Sequence, residues 1–431
     1  GQVFKARYGN VPVAVKVQRP GIRKVVERDA ALLRSVAEWI ESLSSPSGGK
    51  LVNTKLVDAV NEFMSRIFEE LDYRNEAANI ATFASLYSYQ GGSCEKVKVV
   101  VPEAIPDLCS DDVIVMTWLE GTKLTSGVNG TLNEKERAEN LRLIETGIDC
   151  TLSQLLDTGV MHADPHAGNL IKTMTEEGNR LGYLDFGLLS TVPSRVRDGL
   201  VCAVAQLVFA KDVEAVANLF GELSLLPEEV LLDPVERAAL TEALEKTLAE
   251  ALIYPPDDAS HNDYATQIPK LKFDKLLDAL SRLVPRFQFE LPPYFINNAR
   301  ALSTLEGIAR SLNPSFNVLQ VMYPYCLNRL ITNPTQSPVV DDTLQSLIRS
   351  PETGRVDRAR VSKLLSDSAL LTGFRQRRVL WDILSTRAGR KLTWQITLEK
   401  ARDNLSFGRM RRVRRGGTNT QAKKRFRFLQ L

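Results

Sequence analysis

Two short stretches decide the fold of this chain: MHADPHAGNL at residues 161–170 and LDFG at residues 184–187. In the first stretch, Asn169 stands five positions after Asp164. In the second, Asp185 follows a strand-like run and stands twenty-one positions after Asp164. Carboxylate and amide oxygens are the ligands that hard divalent cations prefer. The three side chains are therefore candidates for one metal-dependent site.

A lysine in an apolar strand comes early in the chain, at Lys16 within VAVKV (residues 13–17). An ammonium group in such a strand is costly unless a carboxylate pairs with it. By itself, this short pattern is more typical of a surface lysine on a half-exposed strand. Its place ahead of the two stretches above makes it a candidate for binding an anion beside their carboxylates.

The order of these motifs resembles that of protein kinases, which hold phosphates with a lysine and Mg²⁺ with carboxylate and amide oxygens. The resemblance implies that Lys16 contacts the α- and β-phosphates of ATP. It implies that Asp164 orients the acceptor hydroxyl and accepts its proton. Asn169 and Asp185 are then the expected ligands of Mg²⁺. His162 is expected to be a structural residue that supports the loop.

An acidic segment, EELDYRNE at residues 69–76, offers the carboxylate that a kinase lysine needs. If the segment is one unbroken helix, Asp72 and Glu76 share a face and Glu70 points elsewhere. Geometry therefore favours Glu76 or Asp72 as the partner of Lys16. A solvated acidic face is an equally good interpretation of the segment taken alone.

An apolar strand, VIVMTWLEG at residues 113–121, resembles the kinase hinge, whose backbone N–H and C=O groups contact adenine. The corresponding nucleotide-contacting residues are Met116, Thr117, Trp118 and Leu119. An ordinary core strand is compatible with the same residues.

A metal site of another kind competes with the kinase interpretation, because His162, Asp164 and His166 alternate along the chain and could converge on Zn²⁺. The remaining histidine, His261, is remote in sequence and adds no local motif. A metallohydrolase is the less favoured prediction.

The pattern along the chain predicts an α+β, two-lobed, protein-kinase-like fold with a small β-rich N-lobe, inserted helices and a mainly helical C-lobe. Strands flank a turn at Gly9-Asn10, and Asn133 with Glu136 forms a capping box that starts a helix ending at Gly159. The predicted divisions are an N-lobe at 1–120, a C-lobe at 121–331, a helical C-terminal extension at 332–408 and a basic tail at 409–431.

Composition limits the class of protein. The chain has 431 residues, 44% of them hydrophobic, which is enough for two lobes. Its five cysteines stand singly, which indicates a reducing compartment. The net charge of +3 comes from residues 409–431, which hold nine Lys or Arg and no acidic residue. Such a tail is typical of a disordered segment or of a peripheral contact with an anionic membrane, and nucleic acid is its least favoured partner.

Several motifs together resemble the UbiB/aarF-domain (ADCK) family of atypical kinases, and a plastid-type member in particular. The loop HADPHAGN at residues 162–169 is similar to that family's His-x-Asp-Pro-His-Pro-Gly-Asn loop. ELDY at 70–73, followed by Glu76, resembles its Glu-x-Asp motif and helix glutamate. GQVFKA at 1–6 resembles the end of its Ala-rich nucleotide loop, and LEGIAR at 305–310 resembles a segment of plastid members.

This resemblance implies roles that the residues alone do not reveal. Lys16 and Glu76 would form the ion pair, and Glu70 and Asp72 would be the family-specific motif near the nucleotide. ATP and Mg²⁺ are the implied cofactors. The implied function is an atypical kinase or ATPase in prenyl-quinone (ubiquinone or plastoquinone) or related lipid metabolism, with prenyl lipids or lipid-metabolic enzymes as partners. A plastoglobule or thylakoid in the chloroplast is the implied location, with the mitochondrion as the alternative.

Two alternatives and one expectation complete the interpretation. The chain could be a small-molecule phosphotransferase resembling aminoglycoside kinases, or a non-catalytic scaffold that binds nucleotide or lipid. Because the family's Ala-rich loop would precede Gly1, this chain is expected to bind Mg-ATP weakly or not at all, whereas the full gene product is expected to bind it. The acceptor of the phosphoryl group does not follow from the sequence.

Overall fold

Helices and small antiparallel sheets make up the chain, as a computed structural model describes it for residues 1–42, 56–94, 97–124, 133–162, 166–226, 232–253, 269–287, 293–350, 353–357, 359–362, 364, 390 and 394. The predicted α+β class is confirmed. Asp164 and the basic tail at 409–431 lie outside the described residues, as does His261.

Two compact units divide the chain. The first comprises residues 1–193, 271–282 and 291–318, and the second comprises 194–270, 283–290 and 319–431. The lobe boundaries drawn from the sequence, at residues 120, 331 and 408, stay predictions.

The first sheet has the order β1-β2-β3, formed by Gln2–Tyr8, Val11–Val17 and Val113–Thr117. Gly9 takes a positive φ of 57° in the turn between β1 and β2, a conformation that costs glycine little. Antiparallel register places Lys16 opposite Ile114, at the centre of the sheet. The predicted hairpin is therefore present, and the register of the sheet fixes the position of Lys16.

Three helices lie between β2 and β3 in the chain: α1 (Ile22–Ser42), α2 (Leu56–Glu70) and α3 (Tyr73–Tyr87). The expectation of one unbroken helix through residues 69–76 is wrong. Asp72 takes an extended conformation, and its side chain accepts a hydrogen bond from the backbone N–H of Arg74. A short carboxylate that binds a nearby backbone N–H in this way ends one helix and caps the next.

Two further sheets follow in the first unit: β4-β6-β7 (Gly121–Lys123, Leu170–Thr175, Gly178–Tyr183) and β5-β8 (Val160–His162, Leu189–Thr191). Helix α4 (Glu134–Ser153) begins at the predicted capping box of Asn133 and Glu136. It runs into a wider turn at 154–158 that Gly159 ends with a φ of 74°. This turn leads directly into β5 and so positions His162.

The remaining elements are helical with one short strand pair. They are α5 (Ser194–Ala205), α6 (Val213–Asn218), α7 (Pro234–Ala251), β9 (Leu252–Ile253), β10 (Lys270–Leu271), α8 (Phe273–Phe287), α9 (Pro293–Leu312), α10 (Val318–Thr332) and α11 (Pro338–Ile348). Across the described residues, no helix is both long enough and apolar enough to cross a bilayer. All five cysteines are free thiols.

A carboxylate on α4 gives the first unit a predicted pH dependence. Burial, reinforced by the charge of Glu145, raises the pKa of Asp149 to about 6. Because the pKa is raised on folding, the ionised carboxylate destabilises the folded state at pH values above about 6. This penalty decreases as the pH falls towards 3.8, the ordinary pKa of an aspartate. We expect Asp149→Asn to stabilise the protein by about 3 kcal/mol at pH 8 and by much less at pH 4.

Urea unfolding at the two pH values checks this expectation, with the exposed Asp112→Asn as the matched control. An equal gain at pH 4 and pH 8 would contradict the titration of Asp149.

Candidate functional site

An ammonium group between two carboxylates forms the centre of the site. Lys16 Nζ lies 2.9 Å from Glu76 Oε2 and 3.1 Å from Asp185 Oδ1. Glu76 projects from the first turn of α3 and is 2% exposed, whereas the Asp185 side chain is 48% exposed. The ion pair between Lys16 and Glu76 that the resemblance implied is therefore present.

Burial and charge set the protonation of this group. Burial lowers the pKa of Lys16, but the carboxylates of Glu76 and Asp185 more than offset it, so the pKa lies above its ordinary value. Burial also raises the pKa of Glu76, which Lys16 offsets only in part. For Asp185, burial raises the pKa, but the nearby ammonium outweighs it and the pKa lies below the ordinary value. Asp185 is thus held as a carboxylate facing solvent.

The backbone of Asp185 is held in an unusual conformation. Its φ of 60° lies in the left-handed region, which Asp and Asn tolerate better than most residues. The next residue, Phe186, is fully buried, and its carbonyl oxygen accepts a hydrogen bond from Asn79 Nδ2 at 2.9 Å. Anchoring Phe186 turns the carboxylate of Asp185 towards Lys16.

His162 also supports the turn at Asp185, through a hydrogen bond of its ring. Its Nε2 lies 2.6 Å from the carbonyl oxygen of Asp185, and its backbone N–H donates to Gln154 Oε1 at 2.8 Å. The ring packs among three buried aromatic side chains, Phe83, Tyr183 and Phe186. This position fits the supporting role expected for His162.

The competing zinc site gains no support from the described residues, which contain no group of three or more His, Cys, Asp or Glu able to hold a metal ion. The second histidine of that hypothesis, His166, accepts a hydrogen bond at Nδ1 from the backbone N–H of Gly168. Asp164 is outside the described residues, so its part in either hypothesis stays a prediction.

A cavity of about 370 Å³ opens above the ion pair. Of the residues predicted for the site, Lys16, Glu70, Glu76, Asn169 and Asp185 line it. Asp72 does not line the cavity. For an unbroken helix, Asp72 was expected on the same face as Glu76 and Glu70 on another face, and the structure corrects this expectation. Because the helix breaks between residues 70 and 73, Glu70 ends α2 at the cavity and Asp72 is used as the cap of α3.

The oxygens in this cavity fit a hard divalent cation. Asp185 Oδ1 contacts Lys16 and the backbone N–H of Gly187, whereas Oδ2 accepts no hydrogen bond from the described residues. Asn169 adds an amide group to the same lining. One carboxylate oxygen and one amide oxygen are a donor set that Mg²⁺ takes, completed by water or phosphate.

The hinge residues lie elsewhere. Met116 is buried and paired with Ala14, and the backbone N–H groups of Thr117 and Trp118 donate to Glu103 and Pro12. Within the described part of the chain, the N–H of Leu119 has no hydrogen-bond partner. Trp118 and Leu119 line a second cavity of about 630 Å³, and none of the four residues lines the first. Their contact with adenine stays a prediction.

Three residues of the cavity were missed by sequence reasoning. Gln18 donates from Nε2 to the carbonyl oxygen of Leu71, and so ties the end of β2 to the helix break. Arg19 and Tyr73 line the cavity beside it. A signal did exist, because Gln18 and Arg19 directly follow the lysine strand and Tyr73 directly follows Asp72.

The capping role of Asp72 leads to a testable expectation. Asp72→Ala removes the hydrogen bond to the Arg74 N–H and should cost about 1 kcal/mol of unfolding free energy, whereas Asp72→Asn should cost little because asparagine caps equally well. Urea unfolding of the two variants measures the difference. Equal losses of unfolding free energy in the two variants would show that the negative charge of Asp72, and not its capping hydrogen bond, stabilises the protein.

Comparison with known proteins places this geometry in a family. The model of the ABC1 atypical kinase-like domain matches residues 1–220, and that of the UbiB helical domain matches residues 261–317. Among solved structures, the Rv3197–erythromycin complex from Mycobacterium tuberculosis covers 72% of this chain and 71% of its own, with 21% identity and a TM-score of 0.45.

Two curated relatives from Arabidopsis thaliana agree with the family match. Protein ACTIVITY OF BC1 COMPLEX KINASE 3, chloroplastic, is 35% identical over 81% of this chain and 44% of its own length. An aarF domain-containing protein kinase, also chloroplastic, is 36% identical over 85% of this chain and 46% of its own. The chain spans about half the length of these relatives. It belongs to the ABC1/UbiB family of atypical kinase-like proteins.

Proposed function

We propose that this chain is the catalytic core of a UbiB-type atypical kinase or ATPase that uses Mg-ATP. The observation that carries the proposal is Lys16 held between Glu76 and Asp185 at the floor of an open cavity. A buried ion pair beside a second, solvent-facing carboxylate is what phosphoryl transfer needs to bind phosphate and metal together.

Four residues of the cavity have defined tasks in this proposal. Lys16 donates to the α- and β-phosphates while Glu76 keeps its ammonium in place. Asp185 and Asn169 would hold Mg²⁺, and the ion when bound would neutralise charge on the phosphates. The left-handed backbone of Asp185, fixed by Phe186 and His162, presents the carboxylate without further rearrangement.

The acceptor, the partners and the location belong to the proposal as well. A plastid location is supported by the chloroplastic relatives named above, and a role in prenyl-quinone or related lipid metabolism follows from the family resemblance of the motifs. We place the protein at a plastoglobule or thylakoid surface, with prenyl lipids or lipid-metabolic enzymes as partners and with residues 409–431 as a peripheral contact to anionic lipid.

The proposal is tested with ATP labelled at the γ-phosphate, with and without vesicles that contain a prenylated quinone. Magnesium-dependent release of ADP is expected, and it should fall to background in Lys16→Met but persist in the exposed control Lys24→Met. Label on a lipid or protein would identify a kinase, and label only in free phosphate would identify an ATPase. Magnesium-dependent release that is equal in wild type and Lys16→Met would refute the assignment.

A further inference from the structure

We propose that Arg19 and Tyr73 form a phosphate-binding subsite in the cavity above Lys16. The proposal deepens the function proposed above and rests on it: it gives the cavity a second anion-binding position beside Lys16. The ligand is a phosphate group, carried either by the nucleotide itself or by a phosphate-bearing acceptor.

The first observation is the state of Arg19. Its side chain is exposed, lies three residues beyond Lys16 and lines the same cavity. Throughout the described ranges, its guanidinium makes no ion pair or hydrogen bond. A guanidinium offers a planar set of N–H donors that matches a phosphate bidentately. Arg19 is therefore a cation of this cavity that remains available to a ligand.

The second observation is the hydroxyl of Tyr73. The residue is only 5% exposed, yet it lines the cavity, and among the described residues its Oη makes no hydrogen bond. A phenolic hydroxyl can donate one hydrogen bond, so this group is available to a ligand in the cavity that accepts from it. Burial raises the pKa of Tyr73, which keeps the phenol protonated and able to donate at neutral pH.

The third observation is the balance of charge. The cavity lining holds two cationic side chains, Lys16 and Arg19, and three carboxylates, Glu70, Glu76 and Asp185. Lys16 is already neutralised by two of those carboxylates. In addition to the Mg²⁺ of the proposed function, Arg19 offers a cation to a polyphosphate or phosphorylated acceptor that enters here.

Position links the two residues. The Tyr73 ring lies under the ammonium of Lys16, with Nζ 5.1 Å from the ring centroid. A Cβ built on Gly1 would lie 2.6 Å from Tyr73 Oη, so the hydroxyl also reaches the start of β1. Gln18 joins the end of β2 to Leu71 just before Tyr73. The subsite is thus built on the segment that follows β2 and on the start of α3, next to the two elements that carry Lys16 and Glu76.

Calorimetric titrations of the full chain test the subsite. The probes are Mg-AMP, Mg-ADP, Mg-ATP, and inorganic phosphate added to protein saturated with Mg-ADP. We expect Arg19→Gln to weaken the binding of at least one of these probes by about 10- to 100-fold. Tyr73→Phe should weaken the binding of the same probe by about 3- to 10-fold. The matched controls Arg28→Gln and Tyr8→Phe alter exposed residues outside the cavity and should bind like wild type.

The pattern identifies the source of the phosphate. A loss that grows from Mg-AMP to Mg-ATP assigns the subsite to the nucleotide, whereas a loss confined to inorganic phosphate assigns it to the acceptor. Either pattern supports the proposal. It is overturned if Arg19→Gln binds every probe like Arg28→Gln, or if the wild-type chain binds none of them at millimolar concentration.

Failure of the subsite is distinguishable from failure of the proposed function. If ATP turnover depends on Lys16 but Arg19→Gln binds every probe like wild type, the function stands and the subsite is wrong. If phosphate binding depends on Arg19 but no turnover occurs, the subsite stands and the catalytic assignment is wrong.

Discussion

Asp185→Asn is expected to lower magnesium-dependent ATP turnover by at least about 100-fold, because a bound metal contributes several kcal/mol of charge stabilisation and each 1.36 kcal/mol is a factor of ten. The substitution removes the charge that Oδ2 presents to the cavity. It retains an oxygen that can accept from Lys16 and from the Gly187 N–H, as Oδ1 does now.

The fold should tolerate this change. Asparagine is accepted at a φ of 60° about as well as aspartate, and Lys16 keeps Glu76 as its counter-ion. The thermal midpoint of Asp185→Asn should therefore stay close to that of wild type, whereas Asp185→Ala should be less stable because alanine is strained in the left-handed region. Comparing the two variants separates loss of the metal ligand from loss of the backbone conformation.

The measurement is the rate of ADP release over a titration of Mg²⁺, with the exposed Asp107→Asn as the matched control. Asp107→Asn should follow the wild-type curve. A rate for Asp185→Asn within a factor of three of wild type at saturating Mg²⁺ would remove Asp185 from the proposed metal site.

Asp198→Ala is expected to have the largest effect on stability, a loss of about 3–5 kcal/mol in the second unit. Asp198 Oδ1 lies 3.2 Å from an Nη of Arg329, and both side chains are almost fully buried. Thr335 Oγ1 donates to the other carboxylate oxygen at 2.8 Å. Removing the carboxylate leaves a buried guanidinium without the charge that now offsets its desolvation.

Thermal unfolding with two comparison variants tests this expectation. Thr335→Val removes only the neutral hydroxyl and should cost about 1 kcal/mol. The double replacement Asp198→Leu with Arg329→Met removes both charges and should recover much of the stability lost in Asp198→Ala. If Asp198→Ala is no less stable than Thr335→Val, the ion pair does not stabilise the second unit.

Local pattern was sufficient for several parts of the fold. The turn at Gly9, the capping box at Asn133 and the stop at Gly159 were all predictable, because each depends on a few neighbouring residues and their backbone preferences. The supporting role of His162 also followed from the loop in which it stands.

The acidic segment at 69–76 shows where local reasoning fails. Helical spacing grouped Asp72 with Glu76 on the assumption of a continuous helix, whereas the side chain of Asp72 binds a backbone N–H and starts a new helix. The same two residues that seemed equivalent in sequence therefore have different tasks, one as a cap and one as the counter-ion of Lys16.

The sequence by itself determined the family, the order of the motifs and the identity of the chemical groups, since those depend on residue type and spacing. Only the tertiary structure decided which carboxylates meet Lys16, because Glu76 and Asp185 come from separate elements whose approach is set by packing. It also brought Arg19 and Tyr73 to the cavity. Their availability is a property of the surroundings, because the guanidinium and the hydroxyl make no ion pair or hydrogen bond with the described residues, and no pattern of spacing encodes it.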